Sequence, residues 1–230
     1  MIIPDKNLFI VTSSLKPSIG VYTDEQRFQQ TIESLESIRK MVPDAIIVLS
    51  DVSVRPLTES EKSKLSEKSN FFIDISKEQN TLELSKVGAK SHAENLLMYH
   101  TLQILKSAPQ TSKLLYSVKR IFKYSARTVL EDSFDIKEYD NLFGKFVFKK
   151  HIPTWMNSDK VSSLFITRLF SFCPSLIDTY VQVIAQNLPL LNEMDTEHAH
   201  FLNIPKQHLI EFDKIHCWGW LAGNGQIEHY

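Results

Sequence analysis

The sequence predicts an α/β protein: a mostly parallel central sheet flanked by helices, with an irregular C-terminal elaboration. Three observations carry this. Short apolar, β-favouring runs recur at Leu8–Val11, Ala45–Leu49 and Phe71–Ile75, without polar alternation. Strands buried on both faces of a parallel sheet read that way. Segments of helical character follow these runs, giving three β-α repeats. No Pro, Gly or Ser-rich linker divides the chain, so residues 1–230 are expected to form a single α/β domain.

Each element has a local cause. Leu8-Phe9-Ile10-Val11 ends in Thr12-Ser13-Ser14 and a loop holding Pro17 and Gly20. Thr23 then opens a helix, with Gln26 three residues on as a capping box. Phe28, Ile32, Leu35 and Ile38 follow at helical spacing. Asp24 and Glu25 at its start, and Arg39 and Lys40 at its end, suit the macrodipole. Pro43 stops it. The second strand closes on Ser50-Asp51, a charged helix runs from Glu59 to Lys68, and the third strand follows. Ser91 is expected to open the next long helix, with Glu94 completing a second capping box. A fourth strand is expected around Ile121–Tyr124, and others at Phe146–Phe148 and Leu164–Thr167. Pro174 begins a helix, and Asp195 caps a short one through His200.

Composition excludes several functions. The chain has 230 residues, 43% hydrophobic and 23% charged, with a formal net charge of −1. Such a chain folds. It has no global electrostatic case for binding nucleic acid or an anionic membrane. Two cysteines, Cys173 and Cys217, exclude a disulfide framework and a cysteine-rich zinc site. Six glycines stand where about 16 are usual at this length, which argues against Gly-rich phosphate loops. No Gly-x-Ser-x-Gly, His-Glu-x-x-His or Walker pattern occurs. Met1–Lys6 lacks the features of a signal peptide, and no apolar run is long enough to span a bilayer. A cytoplasmic protein with reduced thiols is expected.

Ligands of open parallel sheets bind beyond the carboxyl ends of the strands. That rule selects Thr12-Ser13, Ser50-Asp51 and Ser125-Ala126-Arg127. Asp51 suits a ribose hydroxyl, or equally a turn. Lys119, Arg120, Lys123 and Arg127 form a basic run able to neutralise a diphosphate, or else a solvated edge. Lys90 stands at a helix start that suits an anion. Glu193, Glu197 and His200 share a helix face at i, i+4 and i+7, as metal or acid/base groups do, and as surface helices also do. Trp218 and Trp220, among Gly219, Gly223 and Gly225, read as a flap or a packed turn.

The order of these pieces carries a resemblance. It rests on Leu8–Ser14, the Asp24–Thr31 helix, Pro43–Asp51, Lys90-Ser91-x-x-Glu94, Phe122–Arg127 and Trp218-Gly219-x-x-Ala222-Gly223-x-Gly225. Together they resemble small glycosyltransferase-like proteins of the nucleotide-diphospho-sugar transferase group, with the Rossmann-like GT-A fold. The resemblance implies a nucleotide-diphospho-sugar donor and a carbohydrate or glycan acceptor. Residues 1–127 would form the nucleotide-binding half, and 128–230 the acceptor-side half with a C-terminal flap. Thr12, Arg27 and Asp51 would lie near base and ribose, and Lys90, Lys123, Arg127 and Trp218 would complete the donor and sugar site. Glu197 or His198 would deprotonate the acceptor. Such enzymes usually carry Asp-x-Asp after the fourth strand, holding Mn or Mg on the diphosphate. This chain has Lys123-Tyr124-Ser125-Ala126-Arg127 there, and Asp132-x-x-Asp135 has the wrong spacing. Either Lys123 and Arg127 replace the metal, or the scaffold has lost catalysis and serves as a binding or interaction protein.

Overall fold

The computed structural model describes residues 6–156, 159–221 and 223–230. The readings on Met1–Asp5 and on Ala222 fall outside these residues. β1 (Leu8–Ser13), α1 (Asp24–Met41), β2 (Ile46–Asp51), α2 (Glu59–Lys68) and β3 (Phe71–Asp74) open the chain. Three helices follow, α3 (Gln79–Lys86), α4 (Lys90–Ser107) and α5 (Pro109–Ser117), and lead to β4 (Ile121–Ser125). The second half holds β5 (Thr128–Leu130), β6 (Phe146–Lys149), β7 (Ile152–Pro153), β8 (Ser163–Leu164) and β9 (Leu169–Phe172). It ends with α6 (Ile177–Asn187), α7 (Thr196–Asn203), β10 (Leu209–Phe212), β11 (Cys217–Trp220) and β12 (Ile227–His229).

Seven strands form the main sheet in the order β10-β6-β9-β4-β1-β2-β3. β1 pairs in parallel with β2 and β4, β2 with β3, and β6 with β10. β9 runs antiparallel between β4 and β6. The sheet therefore draws strands from both halves of the chain, and six of its strands point their carboxyl ends to one edge.

Both faces of the sheet are buried, which explains the missing alternation. Phe9, Val11, Phe122 and Tyr124 face Leu35 and Ile38 of α1. Leu8, Ile10 and Ile121 face the side of Leu102 and Ile177. Phe9 stacks on Phe122 at 4.6 Å between ring centroids. Each such side chain contributes roughly 1.5–3 kcal/mol over leaving it exposed.

The Thr23/Gln26 capping box forms, and a second joins Thr58 and Glu61 at the start of α2. The expected Ser91/Glu94 box does not form. α4 begins two residues earlier than that box would place it, behind Ala89, with no side-chain cap. Ser91 Oγ instead accepts from the Thr196 amide, and Glu94 is drawn to Lys123. The strand expected over Leu164–Thr167 shrinks to β8; beyond it the Phe165 amide donates to the Glu197 carbonyl and the Thr167 carbonyl accepts from the Lys123 ammonium. The sheet strand is β9, just beyond it. The C-terminal run is no free flap: β11 lies between β5 and β12 in a three-stranded antiparallel sheet.

Candidate active site

The carboxyl ends of β1 and β4 lie side by side, with Thr12 opposite Ser125. Above them is a cleft with Thr12, Ser13, Ser125 and Ala126 at its base. Its walls are the loop after β1 with Tyr22, Arg27 of α1, the first turn of α4 with Lys90 and Glu94, and Arg127. Gly88 turns the chain into α4 at φ +76°, and a Cβ there would meet Ile19 Cδ1 at 2.8 Å. That combination requires glycine.

Arg27 is 8% exposed. Its Nη2 donates to the Ser14 carbonyl at 2.9 Å, while Nε and Nη1 have no partner. Burial, then Arg127, push it down to about 9, against the attraction of Asp51. Arg127 Nη1 donates to the Trp220 carbonyl at 2.9 Å; burial and Arg168 push it down to about 10. Lys90 is lowered by burial, Arg127 and Arg27. Arg168 Nη1, Ser13 Oγ and Tyr22 OH are also buried without partners. Three cations, Arg27, Lys90 and Arg127, thus crowd a cleft short of negative charge, with Arg168 behind them over the Tyr230 ring. A buried charge without a counter-charge is costly, and a bound anion removes that cost.

Gly219 makes the Arg127 geometry possible. A Cβ on it would lie 2.7 Å from the Arg127 carbonyl and 3.2 Å from Arg168 Nη1. Without one, β11 approaches closely, and the Trp220 amide donates to that same carbonyl at 3.1 Å.

A second group of charges runs behind the cleft. Lys123, 2% exposed, donates to Glu94 and, at 2.9 Å, to the Thr167 carbonyl. Burial alone would raise Glu94, but Lys123 holds it below the usual carboxylate range. Thr167 Oγ1 donates to Glu197 Oε1 at 2.9 Å. Burial, then Glu94 and Asp195, push the Glu197 carboxyl up to about 7.

Of the residues singled out from sequence, Thr12, Arg27, Lys90 and Arg127 line the cleft together. Lys123 does not line it: it is buried, and its ammonium pairs with Glu94. Asp51 is a turn aspartate: its oxygens accept from the Leu15 amide at 2.9 Å and the Ser53 amide at 3.0 Å. Burial raises it to about 6. Trp218 lines a shallow depression with Ser37, Lys40 and His229 instead. Glu197 and His198 stand behind the cleft wall. His198 is fully buried, its Nδ1 donating to Asp195 at 2.5 Å and its Nε2 accepting from Thr154 Oγ1 at 2.7 Å. Glu193 precedes the Asp195 cap of α7 and pairs with Lys160, so the Glu193/Glu197/His200 face does not form. Tyr22, Glu94 and Arg168 were not assigned to the site from sequence. Glu94 was hidden by its apparent capping role, and Arg168 comes from the region where β9 was not expected.

The site does not fit a divalent cation. Ser125-Ala126-Arg127 occupies the place after β4, and Glu94 is already paired with Lys123. Asp132 pairs with Lys40, and Asp135 caps the following turn. Among the described residues no group of three or more His, Cys, Asp or Glu side chains is placed to hold a metal ion.

The chain has a GT-A-like α/β fold, a mostly parallel sheet with a cation-rich cleft at its carboxyl edge. It is similar to the galactosyltransferase LgtC in complex with donor and acceptor sugar analogues, at TM-score 0.52 and 9% identity, covering 89% of this chain and 72% of that one. It is also similar to the bifunctional glycosyltransferase WbbM in its apo structure, at TM-score 0.51 and 11% identity, covering 92% of this chain and 39% of that one. The Mn/GDP form of core-mannan synthase A from Aspergillus fumigatus aligns at TM-score 0.48 and 9% identity, over 91% of this chain and 73% of that one. At such identities the likeness is one of fold. No family model matches the chain, and no curated protein matches it. Among the described residues no helix is long and apolar enough to cross a membrane.

Proposed function

We propose that this protein is a glycosyltransferase that moves a sugar from a nucleotide-diphospho-sugar to a carbohydrate acceptor, with arginine and lysine in place of a metal on the diphosphate. One observation carries the reading: the buried Arg27 guanidinium, with two partnerless nitrogens, sits among Lys90, Arg127 and Arg168 where the strands end. All of the cleft lining comes from residues 12–127, which supports a nucleotide-binding first half.

In the transfer, the bond from the sugar's anomeric carbon to the diphosphate oxygen breaks, and its electron pair leaves with the diphosphate. The acceptor hydroxyl oxygen forms the new bond to that carbon, and its proton passes to solvent water. Arg27 and Arg127 stabilise the charge that develops on the leaving group, with Lys90 beside them and Arg168 behind. Preorganised cations in a cleft partly closed to water are effective at this. Guanidinium nitrogens suit phosphate oxygens through two parallel hydrogen bonds. Glu197 serves at one remove, through Thr167 and Lys123.

The test is release of nucleoside diphosphate from a panel of UDP-, GDP- and CDP-sugars, with mono- and oligosaccharide acceptors, in EDTA and in manganese. Turnover that persists in EDTA and falls with Arg127→Ala is expected. No turnover of any donor under either condition contradicts the reading.

A further inference from the structure

Glu94 has the wrong charge for a diphosphate site, yet it is the one carboxylate among the described residues that lines the cleft. It is also firmly held. Oε1 accepts from the Lys123 ammonium, which is itself anchored to the Thr167 carbonyl. Lys123 keeps the group ionised despite its desolvation. No described residue donates to Oε2, and the side chain, 35% exposed, is part of the cleft lining. A fixed carboxylate of this kind repels phosphate oxygens and accepts from hydroxyl groups.

Its place along the sheet narrows the choice. The cleft runs from Val52, just past β2, over the end of β1 to Ser125 of β4. Val52 and Pro17 make the β2 end apolar and suited to a base. Glu94 stands at the other end, against Lys123 of β4 and Thr167 just before β9. Arg127 is close enough to lower its pKa.

We infer that Glu94 is the sugar-binding carboxylate of this site: Oε2 accepts a hydroxyl of the donor's sugar, fixes the sugar beside the leaving diphosphate, and favours donors that present a hydroxyl there. This rests on the nucleotide-sugar reading above. The residue is a specificity determinant, and Lys123 is its positioning residue.

Calorimetric titration with UDP, GDP, UDP-glucose and GDP-mannose tests it. A Glu94→Gln variant keeps the side-chain shape and removes the charge. Glu94→Gln combined with Lys123→Met guards against unfolding by a lone buried ammonium. For both variants the ratio of Kd for the nucleotide-sugar to Kd for its nucleoside diphosphate should rise about tenfold or more, the size expected for losing a hydrogen bond to a charged group. Affinity for the bare diphosphate should hold or increase. An unchanged ratio overturns the inference alone. Equal weakening of both ligands also overturns it, and assigns Glu94 to the ribose. A wild-type protein that binds neither ligand class overturns the nucleotide-sugar reading and the inference with it.

Discussion

Two buried polar clusters lie in this molecule, and they are built to opposite rules. Between α4, α6 and α7, Asn95 donates to Thr196 Oγ1 at 2.6 Å and His200 Nδ1 donates to the Thr196 carbonyl at 2.7 Å. Tyr180 donates to His200 Nε2 at 3.3 Å, and Asn203 lies 2.9 Å from Asn187. None of these side chains is left with a buried, partnerless polar atom. At the cleft, Arg27, Ser13 and Tyr22 all are, and so is Arg168 behind it. A satisfied network rigidifies the fold. An unsatisfied cationic one costs stability and is retained where a ligand completes it. Burial and polarity alone do not separate the two clusters; hydrogen-bond satisfaction does.

That contrast is sharpened by removing one member of each. Asn187→Ala breaks the closed network and leaves its partners unsatisfied. It should cost about 3 kcal/mol, or roughly 6–12 °C in Tm for a chain of this size, with little change in nucleotide affinity. Arg27→Met should do the reverse: diphosphate affinity falls about tenfold to a hundredfold, while Tm holds or rises because an unpaired buried charge is gone. If Arg27→Met unfolds the protein while Asn187→Ala is silent, the contrast is broken.

Gly219→Ala tests how the cleft is held. Its Cβ would lie 2.7 Å from the Arg127 carbonyl, so β11 must shift. A loss of about 1–3 kcal/mol is expected, with severalfold weaker diphosphate binding. Unchanged binding in a folded Gly219→Ala variant would separate Arg127 from the strand that positions it.

The smallest effect is one of pH. The Glu197 carboxyl is raised to about 7 in the folded protein, so the native state holds its proton where the unfolded chain has released it. Stability contributed by this group is therefore present at low pH and is lost as pH rises from about 4.5 to about 7. Glu197→Gln lacks that dependence. It should gain on wild type by about 1 kcal/mol per pH unit across that window, read by denaturant melts at pH 5, 6 and 7. A constant difference would mean that Glu197 ionises normally.

Much of this was legible in the residues. The β-α order, the Thr23 cap and the cleft residues Thr12, Lys90 and Arg127 follow from local pattern and from the carboxyl-edge rule, while Arg27 comes only with the resemblance. What stayed hidden was decided at long range. Ser91 and Glu94 satisfy the local capping rule, but Lys123, 29 residues away, offers Glu94 a charge that no helix terminus matches. The basic run 119–127 reads as one patch. The strand's alternation and the partners around it divide the run: Arg120 bonds to the Leu142 and Lys145 carbonyls, Lys123 pairs with Glu94, and Arg127 reaches the cleft. Trp218 and the C-terminal glycines look like a flap until β5 is seen beside them, and pairing between strands some 90 residues apart leaves little local trace.

The central claim is that Arg27, with its two partnerless nitrogens, and its neighbours Lys90 and Arg127 at the edge of β1 and β4 bind a diphosphate without a metal. Calorimetric titration of UDP and GDP in EDTA, against wild type and Arg27→Met, tests it most directly. Binding by wild type in EDTA, weakened at least tenfold in Arg27→Met, is the predicted result. Binding that appears only with manganese, or that Arg27→Met leaves intact, would contradict it.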